Sequence, residues 1–555
     1  MSASSTVSSR PNRQIPTWAP LRSPLFRALW LASLASNIGT WMHDVGAAWL
    51  MTSLTKDAGI NALVAGAGAL PMFLLALPAG ALADILDKRK LLVASQCWAF
   101  LVTSILASLT YFNRASPAVL LLFTALLALG SALSMPAWQT IIPEMVKKRQ
   151  MAAAIGLGGI SWNIARIVGP MIGGFLIGVL APRLGDVQAP AALFALNALS
   201  FLGVAMVIYR WKREPPVSDL PPEHVLGAVK TGLRYARHSP DLSAILVRNF
   251  AFALFGSALW ALLPLHAREN LGLNATGYGT LIGFVGAGAI AIGISLEKLR
   301  ARFAPGVLVA LASAALALNF LGLAWARDIW LVRAAMVVGG AGWAMGMLTF
   351  QVAVLQNAPD WVRSRAASLA LLAFTGAMVA GSALWGTLSR QTSIPFAFCV
   401  AAGGVVAAAL ALRHLEISGA ALKVAPSSHW PDPVVEFEPA PERGPVLVTT
   451  EFQIDPANAR EFVAAMQSVR QMRLREGALR WNLFQDAAQP MRWVETMLVE
   501  SWNDHLRQHA RVSHESAELE SLAWSFHRGE NGPLVSHLIA ARARDFEDDD
   551  ENNDP

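Results

Sequence analysis

Charged side chains are scarce in this chain. Asp, Glu, Lys and Arg make up 15% of its 555 residues, and hydrophobic residues make up 54%. A soluble protein of this length normally has about 25% charged residues, so the composition excludes an ordinary soluble protein and indicates that lipid solvates much of the chain. Up to about residue 412 the charges lie in short breaks between apolar runs, and after about residue 439 the composition becomes that of a soluble domain.

Cysteine is nearly absent, since the chain has only Cys97 and Cys399, both inside apolar runs. This excludes a disulfide framework or a cysteine metal site, and each thiol is expected to be a small buried hydrophobe. The first 22 residues lack a short apolar core with a cleavage site, so we expect no cleavable signal peptide. The net charge is +6, but the basic residues flank apolar runs, and we therefore predict no nucleic-acid partner.

Twelve apolar segments are long enough to cross a membrane as helices, which takes about 20 residues. We therefore predict an all-α polytopic membrane protein with two six-helix bundles, followed by an α+β domain. The predicted spans are 26–51, 62–86, 91–111, 117–140, 152–180, 191–211, 244–263, 278–296, 305–326, 329–354, 366–388 and 395–412.

Basic residues alternate between the loops that join these spans. Two or three Lys or Arg residues occur in each of the loops around 88–90, 147–149, 210–213, 298–302 and 363–365, and roughly one in each alternate loop. Cytoplasmic loops carry the excess of Lys and Arg. The basic loops and both termini are therefore predicted to be cytoplasmic, with the protein multi-pass in a bacterial inner membrane.

Shifts in composition divide the chain into seven parts. These are a cytoplasmic tail 1–24, a bundle 25–211, a linker 212–243, a bundle 244–413, a linker 414–444, an α+β domain 445–541 and an acidic, disordered tail 542–555. Within the first linker, apolar residues at 226, 229, 233 and 236 have helical spacing, with Lys230, Arg234 and Arg237 off that stripe. This pattern predicts a helix lying on the membrane surface, and a solvated linker helix fits equally well.

The two bundles resemble each other at an offset of about 212 residues. The matching residues are Gly80 and Gly293, Asp84 and Glu297, Gln139 and Gln351, Gly169 and Gly381, and Gly174 and Gly386. A parallel six-plus-six repeat resembles the architecture of major facilitator transporters, in which the substrate lies between the halves near the bilayer midplane.

The loop after the second span resembles a signature of major facilitator proteins. Asp84 at a cytoplasmic helix end can pair with a basic residue or accept backbone N–H bonds from a neighbouring helix. The resemblance implies a latch that holds the outward-open state, with members Gly80, Asp84, Lys88, Arg89, Gly293, Glu297 and Arg300. Ile85 and Asp87 depart from the usual pattern, which leaves the basic partner open, and a plain positive-inside loop is the alternative.

The fifth span contains Gly169, Pro170, Gly173 and Gly174. Small residues let helices approach closely, and proline bends a helix. This run resembles the glycine–proline signature of drug/proton antiporters, which implies export. A simple helix-packing face is compatible with the same residues.

Asp44 and Arg166 are ionisable residues inside predicted spans, where a charge costs about 2.5–3.5 kcal/mol on insertion scales. Counted from the predicted helix starts, both lie about 22–26 Å from the cytoplasmic side. We expect them to pair or to share a water-filled cavity, with proton binding to Asp44 releasing the constraint. The alternatives are a static ion pair, or an Asp44 hydrated at the outer interface.

Three amides are candidate polar groups of a substrate cavity: Gln139, Asn163 and Gln351. Interhelical hydrogen bonding is the competing interpretation for each of them.

Residues 39–51, 136–146 and 163–174 are together similar to the transmembrane-secretion-effector branch of the major facilitator superfamily, which includes the bacterial enterobactin exporter. The resemblance implies proton-driven efflux of small organic molecules, such as a siderophore or a drug-like compound, with the proton motive force in place of a cofactor. A small-molecule substrate and the lipid bilayer are the implied partners. A lysophospholipid flippase on the same fold is one alternative.

The region after residue 445 alternates as βαββαβ, which is the ferredoxin-like unit. With Glu500, Trp502, His505 and His509 it resembles the dimeric α/β-barrel proteins of the antibiotic-biosynthesis-monooxygenase type, some of which are enzymes or bind haem. His514 and His527 are also present, but no metal spacing is evident. We therefore predict a regulatory module or a homodimer contact with no catalytic residue and no metal. A bifunctional protein with a catalytic or haem-binding domain is the alternative.

Overall fold

The computed structural model describes residues 16, 18–146, 148–211, 225–359, 361–417, 427, 430, 439–440 and 442–541. Within helices, the side chains at 77, 79–85, 139–140, 142–143, 148, 152, 225–231 and 510–511 lie outside the description. The predicted roles of the side chains of Asp84 and Gln139, the close contact expected at Gly80, and most of the two predicted tails therefore fall outside the described residues.

Six helices form the first half of the membrane-spanning region. They are α1 Pro24–Leu54, α2 Ala58–Ile85, α3 Lys88–Tyr111, α4 Pro117–Met145, α5 Met151–Leu184 and α6 Pro190–Arg210. A linker helix, α7 Val225–His238, precedes the second half. The second six are α8 Pro240–Leu265, α9 Ala275–Arg300, α10 Pro305–Trp325, α11 Ile329–Asn357, α12 Arg363–Gln391 and α13 Ile394–Ala411.

Local sequence signals explain where many of these helices begin. Proline, whose fixed φ suits the first helical turn, starts α1, α4, α6, α8 and α10. Side-chain oxygens accept backbone N–H bonds at the N-caps Asp87, Ser116, Ser239, Asn274, Asp328 and Ser393. Such caps satisfy amides that the first turn leaves without a helical partner.

Among the described residues, eleven helices are long and apolar enough to cross a membrane. They correspond to eleven of the twelve predicted spans. Helix α1 is 31 residues long but is not among the eleven, because His43, Asp44 and several small polar residues lower its hydropathy. It remains a predicted span.

The contacts between helices repeat in the two halves. In the first half α1 packs on α5, α2 on α4 and α3 on α6, and in the second half α8 packs on α12, α9 on α11 and α10 on α13. Two equivalent interfaces join the halves, α5 with α9 and α2 with α12. The repeat detected in the sequence is therefore a repeat of packing.

The C-terminal region contains four strands and three helices in the predicted βαββαβ order. They are β1 Val446–Gln453, α14 Ala459–Glu476, β2 Arg480–Gln485, β3 Arg492–Val499, α15 Trp502–Arg511, α16 His514–Trp524 and β4 Leu534–Ile539. The sheet is antiparallel with the order β2-β3-β1-β4. Phe452 of β1 packs with Phe462 and Met466 of α14, so the core lies between the sheet and the helices.

Helix α7 is present as predicted, but it is packed against protein. It contacts α14 of the C-terminal domain and α12 of the second half. Tyr235 is buried, its hydroxyl donates to the Asn357 carbonyl at 3.3 Å, and its ring meets Trp361 edge-on. Helix α7 is therefore packed against protein at Tyr235 and Ala236, whereas Leu233 of the apolar stripe is 60% exposed. The side chains at 226 and 229 lie outside the described residues, so a membrane-surface or solvated position of this stripe stays a prediction.

Candidate functional site: the interface between the two halves

Helices α5 and α9 touch backbone to backbone at one end of their interface. A Cβ placed on Gly174 would lie 2.5 Å from the Ala275 carbonyl oxygen and 3.0 Å from Gly279 Cα. The Thr276 hydroxyl donates to the Gly174 carbonyl at 3.2 Å. Such an approach requires glycine, since small residues alone let helix backbones meet.

The predicted helix-packing motif of α5 serves two neighbours at once. Gly169 and Gly173 face α1, where a Cβ on Gly169 would lie 2.5 Å from Trp41 Cβ. Pro170 and Gly174 face α9 instead, with the Pro170 carbonyl directly against Gly279. Residues four apart share a helix face. Gly169 and Gly173 therefore hold α5 against α1, and Pro170 and Gly174 hold it against α9.

The equivalent interface between α2 and α12 has the same construction. A Cβ on Gly386 would lie 2.9 Å from Ala62 Cβ and 3.0 Å from Gly59 Cα, and one on Gly66 would lie 3.1 Å from Ser382 Cβ. Both interfaces are therefore tightest at the same end of the molecule.

A cationic side chain closes that end. Arg268, in the π-helical turn His266–Asn270 after α8, donates to the hydroxyls of Thr52 at 3.2 Å and of Ser53, and to Asp186 at 3.3 Å. Its guanidinium also lies 5.2 Å from the ring centroid of Trp49. We call Arg268 with these four partners the Arg268 seal, and all four partners belong to the first half.

Two further ion pairs join the halves at the rim of the Arg268 seal. Lys56 lies 3.9 Å from Glu269, and Arg390 lies 3.6 Å from Asp57. The Lys56 side chain is 84% exposed, and exposed pairs of this kind contribute about 0–1 kcal/mol. Arg268 is thus the main polar contact of the described residues at this end.

The opposite end of the interface is open. A Cβ on Gly159 of α5 or on Gly293 of α9 would meet nothing within 4 Å. Ile294 beside it is 78% exposed. The two helices therefore diverge from the glycine contact toward the end that carries Lys88.

The described polar contacts at the open end stay within one half. Lys88 pairs with Glu144 at 3.6 Å, and Arg89 donates to the Tyr209 carbonyl, both in the first half. Arg300 donates to Gln356 at 2.9 Å in the second half. Of the second-half residues predicted for the latch, Gly293 and Glu297 are exposed at this end.

Asp44 is exposed on α1, a helix that contacts α2, α4, α5, α6 and α8. Because neighbours surround α1, its exposed residues face the space between the halves. In the described part of the chain, no ion pair within 4.0 Å joins Asp44 to Arg166.

The packing register explains why the pair is not formed. Asn37 donates to Ser161 at 3.3 Å, and Trp41 packs on Gly169, so Arg166 lies level with residues 37–41 of α1. Asp44 therefore lies about one helical turn nearer the Arg268 seal. The equal depth predicted from helix starts is wrong by that turn, and a shared cavity remains the applicable alternative.

Three residues predicted from the sequence to lie in or near a substrate cavity are exposed on helices α5 and α11. Trp162 is 50% exposed and meets Trp41 edge-on at 6.1 Å between ring centroids. Asn163 is exposed, and its amide donates to the Gly159 carbonyl at 2.9 Å. Gln351 is exposed on α11 of the second half.

The C-terminal domain has a polar interior that sequence reasoning missed. Arg473 is buried between Glu495 at 3.1 Å and Glu520 at 2.6 Å. The indoles of Trp481 and Trp430 each donate to one of these carboxylates at 2.8 Å. These residues come from two helices, two strands and a linker, so no local sequence pattern signals the cluster.

Burial also shifts the pKa of several groups in this domain. Burial raises the pKa of Glu476 to about 7, against the lowering effects of Arg475 and of a hydrogen bond from Ser516. Burial, together with His537 and His509 nearby, lowers the pKa of His505 to about 3. His505 is therefore a neutral imidazole at pH 7.

Comparison with known proteins shows which family the chain belongs to. The family described as transmembrane secretion effector matches residues 15–545, which include the C-terminal domain. The staphyloferrin A transporter of Staphylococcus aureus is 30% identical over 31% of this chain and 42% of its own length. The multidrug efflux pump Tap of Mycolicibacterium fortuitum is 27% identical over 41% of this chain and 55% of its own length. The chain thus spans about half the length of these curated relatives.

Among solved structures, a D-xylose–proton symporter superposes with a TM-score of 0.56 at 13% identity, covering 71% of this chain and 98% of that one. At this identity the likeness concerns the fold alone. Together with the repeated six-helix packing, these matches identify the chain as a member of the transmembrane secretion effector family of major facilitator transporters.

Proposed function

We propose that this protein is a proton-coupled exporter of small organic molecules in a bacterial inner membrane, working by alternating access. The observation that carries the proposal is the asymmetry of the α5–α9 interface, sealed at Arg268 and open at Gly159 and Gly293. The basic loops support a cytoplasmic location for the open end and for both termini. On this basis the conformation is inward-open.

The other state would reverse the asymmetry. The halves would rock about the glycine contacts, the Arg268 seal would separate, and the region of Gly293 and Glu297 would close against the first half. The latch of Gly80, Asp84, Lys88, Arg89 and Arg300 would then hold the cytoplasmic side shut. Lys88 would have to exchange Glu144 for a new partner if it takes part.

Asp44 is the proposed coupling residue. A carboxylate exposed to the space between the halves loses hydration when the halves close around it, and an ionised group in a dry site is unfavourable. Protonation removes that charge and permits closure. Arg166, about one turn away on α5, is the proposed counter-charge for the ionised carboxylate if the two approach during the transport cycle.

The cavity chemistry favours planar or mixed polar–aromatic cargo. Trp162 and Trp41 offer aromatic surface, and Asn163, Arg166 and Gln351 offer hydrogen-bond donors. The names of two relatives, a staphyloferrin A transporter and a multidrug pump, agree with a siderophore or a drug-like compound. The proton motive force would supply the energy with no cofactor.

The C-terminal domain is proposed to be a ferredoxin-like dimerisation or regulatory module, and not an enzyme. The sheet face away from the helices exposes Phe484, Leu534 and Leu538, between 54% and 64% each. A second copy of the sheet would cover this face, as in dimeric α/β barrels. Cross-linking of full-length protein in membranes should give a dimer that Leu538→Glu disrupts; an unchanged dimer would rule out this face.

The coupling test uses Asp44→Asn in everted membrane vesicles. A deletion strain is first screened for intracellular accumulation of siderophores and dyes, and ethidium is the initial probe. Asp44→Asn should abolish proton-driven accumulation at an expression level matched to wild type. Asp328→Asn, which keeps the N-cap of α11, is the matched control. Undiminished proton-driven transport by Asp44→Asn would remove Asp44 from the mechanism.

A further inference from the structure

An arginine is buried in the second half without an acidic partner. Arg248, on α8, is 5% exposed. Its Nη1 atom donates to the Leu415 carbonyl at 3.0 Å. Among the residues that the structure describes, no carboxylate lies within 4.0 Å of this guanidinium. No negative side chain of the described protein therefore neutralises Arg248.

The Leu415 carbonyl balances this positive charge only in part. Leu415 follows the C-terminal end of α13, and a helix C-terminus carries the equivalent of about half a negative charge. A buried cation that lacks its full counter-charge is strongly unfavourable. The remaining charge of Arg248 therefore favours an anion supplied from outside the described chain.

Arg248 lines a cleft of about 220 Å³ between α8, α10 and α13. Its apolar walls include Phe252 of α8, Val309 of α10 and Ala409 of α13. Ser313 also lines the cleft, but its hydroxyl donates to the Val309 carbonyl within α10 at 2.9 Å. The cleft thus combines an apolar lining with one charged group, the guanidinium of Arg248.

The guanidinium lies level with the ends of α10 and α13 at the open end of the molecule. Gly306 is in the first turn of α10, and a Cβ placed on it would lie 3.8 Å from Arg248 Nη1. Leu415 lies beyond the last residue of α13. Lipid headgroups lie at the ends of membrane-spanning helices. Arg248 is therefore at the level of the lipid phosphates, on the side that the basic loops predict to be cytoplasmic.

The cleft lies on the outer side of the second half. Helix α10 packs mainly on α11 and α13, and α13 packs mainly on α10 and α8, whereas α9 and α12 make the main contacts with the first half. Val307 and Leu311 of α10 are each 45% exposed, and Leu410 of α13 is 60% exposed. In a membrane these side chains face lipid, so a lipid molecule has access to the cleft.

We propose that this cleft binds an anionic phospholipid of the cytoplasmic leaflet, with its phosphate on Arg248 and one acyl chain along α10 and α13. Guanidinium groups are well suited to phosphate, and basic pockets between membrane helices on the cytoplasmic side bind anionic headgroups. Arg302 and Arg413, in the segments next to α10 and α13, are exposed, as is Glu416. The site faces lipid, so it neither requires nor excludes the proposed export activity.

Phosphatidylglycerol is the probe, and native mass spectrometry counts the lipids that remain bound. Full-length protein is purified in detergent, washed free of lipid and incubated with phosphatidylglycerol, with phosphatidylcholine, or with inorganic phosphate as a competitor. Wild-type protein should retain one phosphatidylglycerol per chain, about fivefold more strongly than phosphatidylcholine. Arg248→Gln should remove this preference, and Arg248→Lys should keep part of it. Arg210→Gln, the same change at the exposed end of α6, should leave it unchanged.

A second variant tests the cleft without changing a charge. Ala409→Phe places a ring in the cleft and should reduce phosphatidylglycerol retention. Gly403→Phe, at a position on α13 where a Cβ would meet nothing within 4 Å, should not. Gel filtration checks the folding of each variant, and this pair of variants decides the test if Arg248→Gln does not fold.

Three results would overturn the proposal. Full retention of phosphatidylglycerol by Arg248→Gln or by Ala409→Phe would mean that Arg248 serves only to cap α13. Equal retention of phosphatidylcholine by the wild-type protein would mean that the cleft does not select a negative headgroup. Displacement of phosphatidylglycerol by inorganic phosphate would mean that the occupant is a free anion and not a lipid.

Discussion

The α5–α9 interface has few buried polar bonds, whereas the interior of the C-terminal domain contains a buried cluster of charged residues. In the membrane, Gly174 and Gly279 meet backbone to backbone, and the ion pairs found there among the described residues lie at the rim. In the domain, Arg473 is buried between two carboxylates. The first interface has few directional buried bonds to break, so it can separate and re-form elsewhere. The second fixes one arrangement, since a buried charge without its partner is strongly unfavourable.

Removal of the Arg473 side chain should have the largest effect of the changes considered, and it should act on the stability of the C-terminal domain. Arg473→Ala leaves Glu495 and Glu520 buried without their cation, which should destabilise the domain by about 3–5 kcal/mol. The urea midpoint of the domain, followed by pulse proteolysis of full-length protein, measures this. Arg507→Ala, which breaks a surface pair with Asp504, should cost about 0–1 kcal/mol. Equal shifts for the two variants would mean that the buried triad is not the stabilising element.

Glu476 should make the domain's stability depend on pH. Its folded pKa is about 7 against 4.5 unfolded, so between these values only the unfolded state loses the proton. Glu476 alone should therefore lower the free energy of unfolding by about 3 kcal/mol as pH rises from 4.5 to 7, with no further change above. The lowered pKa of His505 acts in the opposite direction, so the Glu476 contribution is measured as the wild-type free energy of unfolding minus that of Glu476→Gln at each pH. Exposed Glu530→Gln should leave the wild-type profile unchanged. A wild-type minus Glu476→Gln difference that stays constant or rises over this range would contradict the assignment.

A larger side chain at the glycine contact between α5 and α9 should reduce transport. In Gly174→Val the new side chain meets the Ala275 carbonyl and Gly279, which should destabilise the sealed conformation by about 1–3 kcal/mol and reduce transport by more than about tenfold. Gly203→Val on α6, where a Cβ meets nothing within 4 Å, is the matched control. Wild-type transport by Gly174→Val would show that this close approach is dispensable.

Loss of the Arg268 side chain should have the smallest effect of the four. Arg268→Gln removes charge-assisted bonds to Asp186 and Ser53 and should reduce the sealed population roughly tenfold. The readout is the rate at which an impermeant thiol reagent, added outside, modifies Ala48→Cys, one turn beyond Asp44 on α1. Arg268→Gln should raise this rate, because fewer molecules are sealed at that end. Lys56→Ala should change nothing measurable. A modification rate that Arg268→Gln leaves at the wild-type value would rule out the seal.

Apolar length and turn chemistry predicted most of the elements, because membrane helices and their caps are determined locally. The spacing of Gly169, Pro170, Gly173 and Gly174 in the sequence likewise indicated close helix packing. The spacing does not tell which neighbouring helix each of these residues contacts, because that depends on how the helices are arranged. It could not be inferred that Gly169 and Gly173 contact α1 while Pro170 and Gly174 contact α9.

The features that were missed depend on residues far apart in the chain. The Arg268 seal joins positions 53, 186 and 268, and the Arg473 cluster joins helices to strands and a linker. The depth of Arg166 was misjudged because it was counted from a predicted helix start, while packing against α1 sets its level. The contacts of α7 with α14 and α12 were not predicted, because an apolar stripe does not identify the helices that lie beside it.

The central claim is that the two ends of the interface open in alternation. Spin labels on Arg149 and Arg302 report the open end, and labels on Leu184 and Asn270 report the sealed end, in a Cys97→Ser, Cys399→Ser background. The distance between the two labels of each pair is measured by double electron–electron resonance, with and without Asp44→Asn, which mimics the protonated carboxyl. The account predicts that the first distance shortens while the second lengthens in the same fraction of molecules; changes in the same direction at both ends, or at neither, would contradict it.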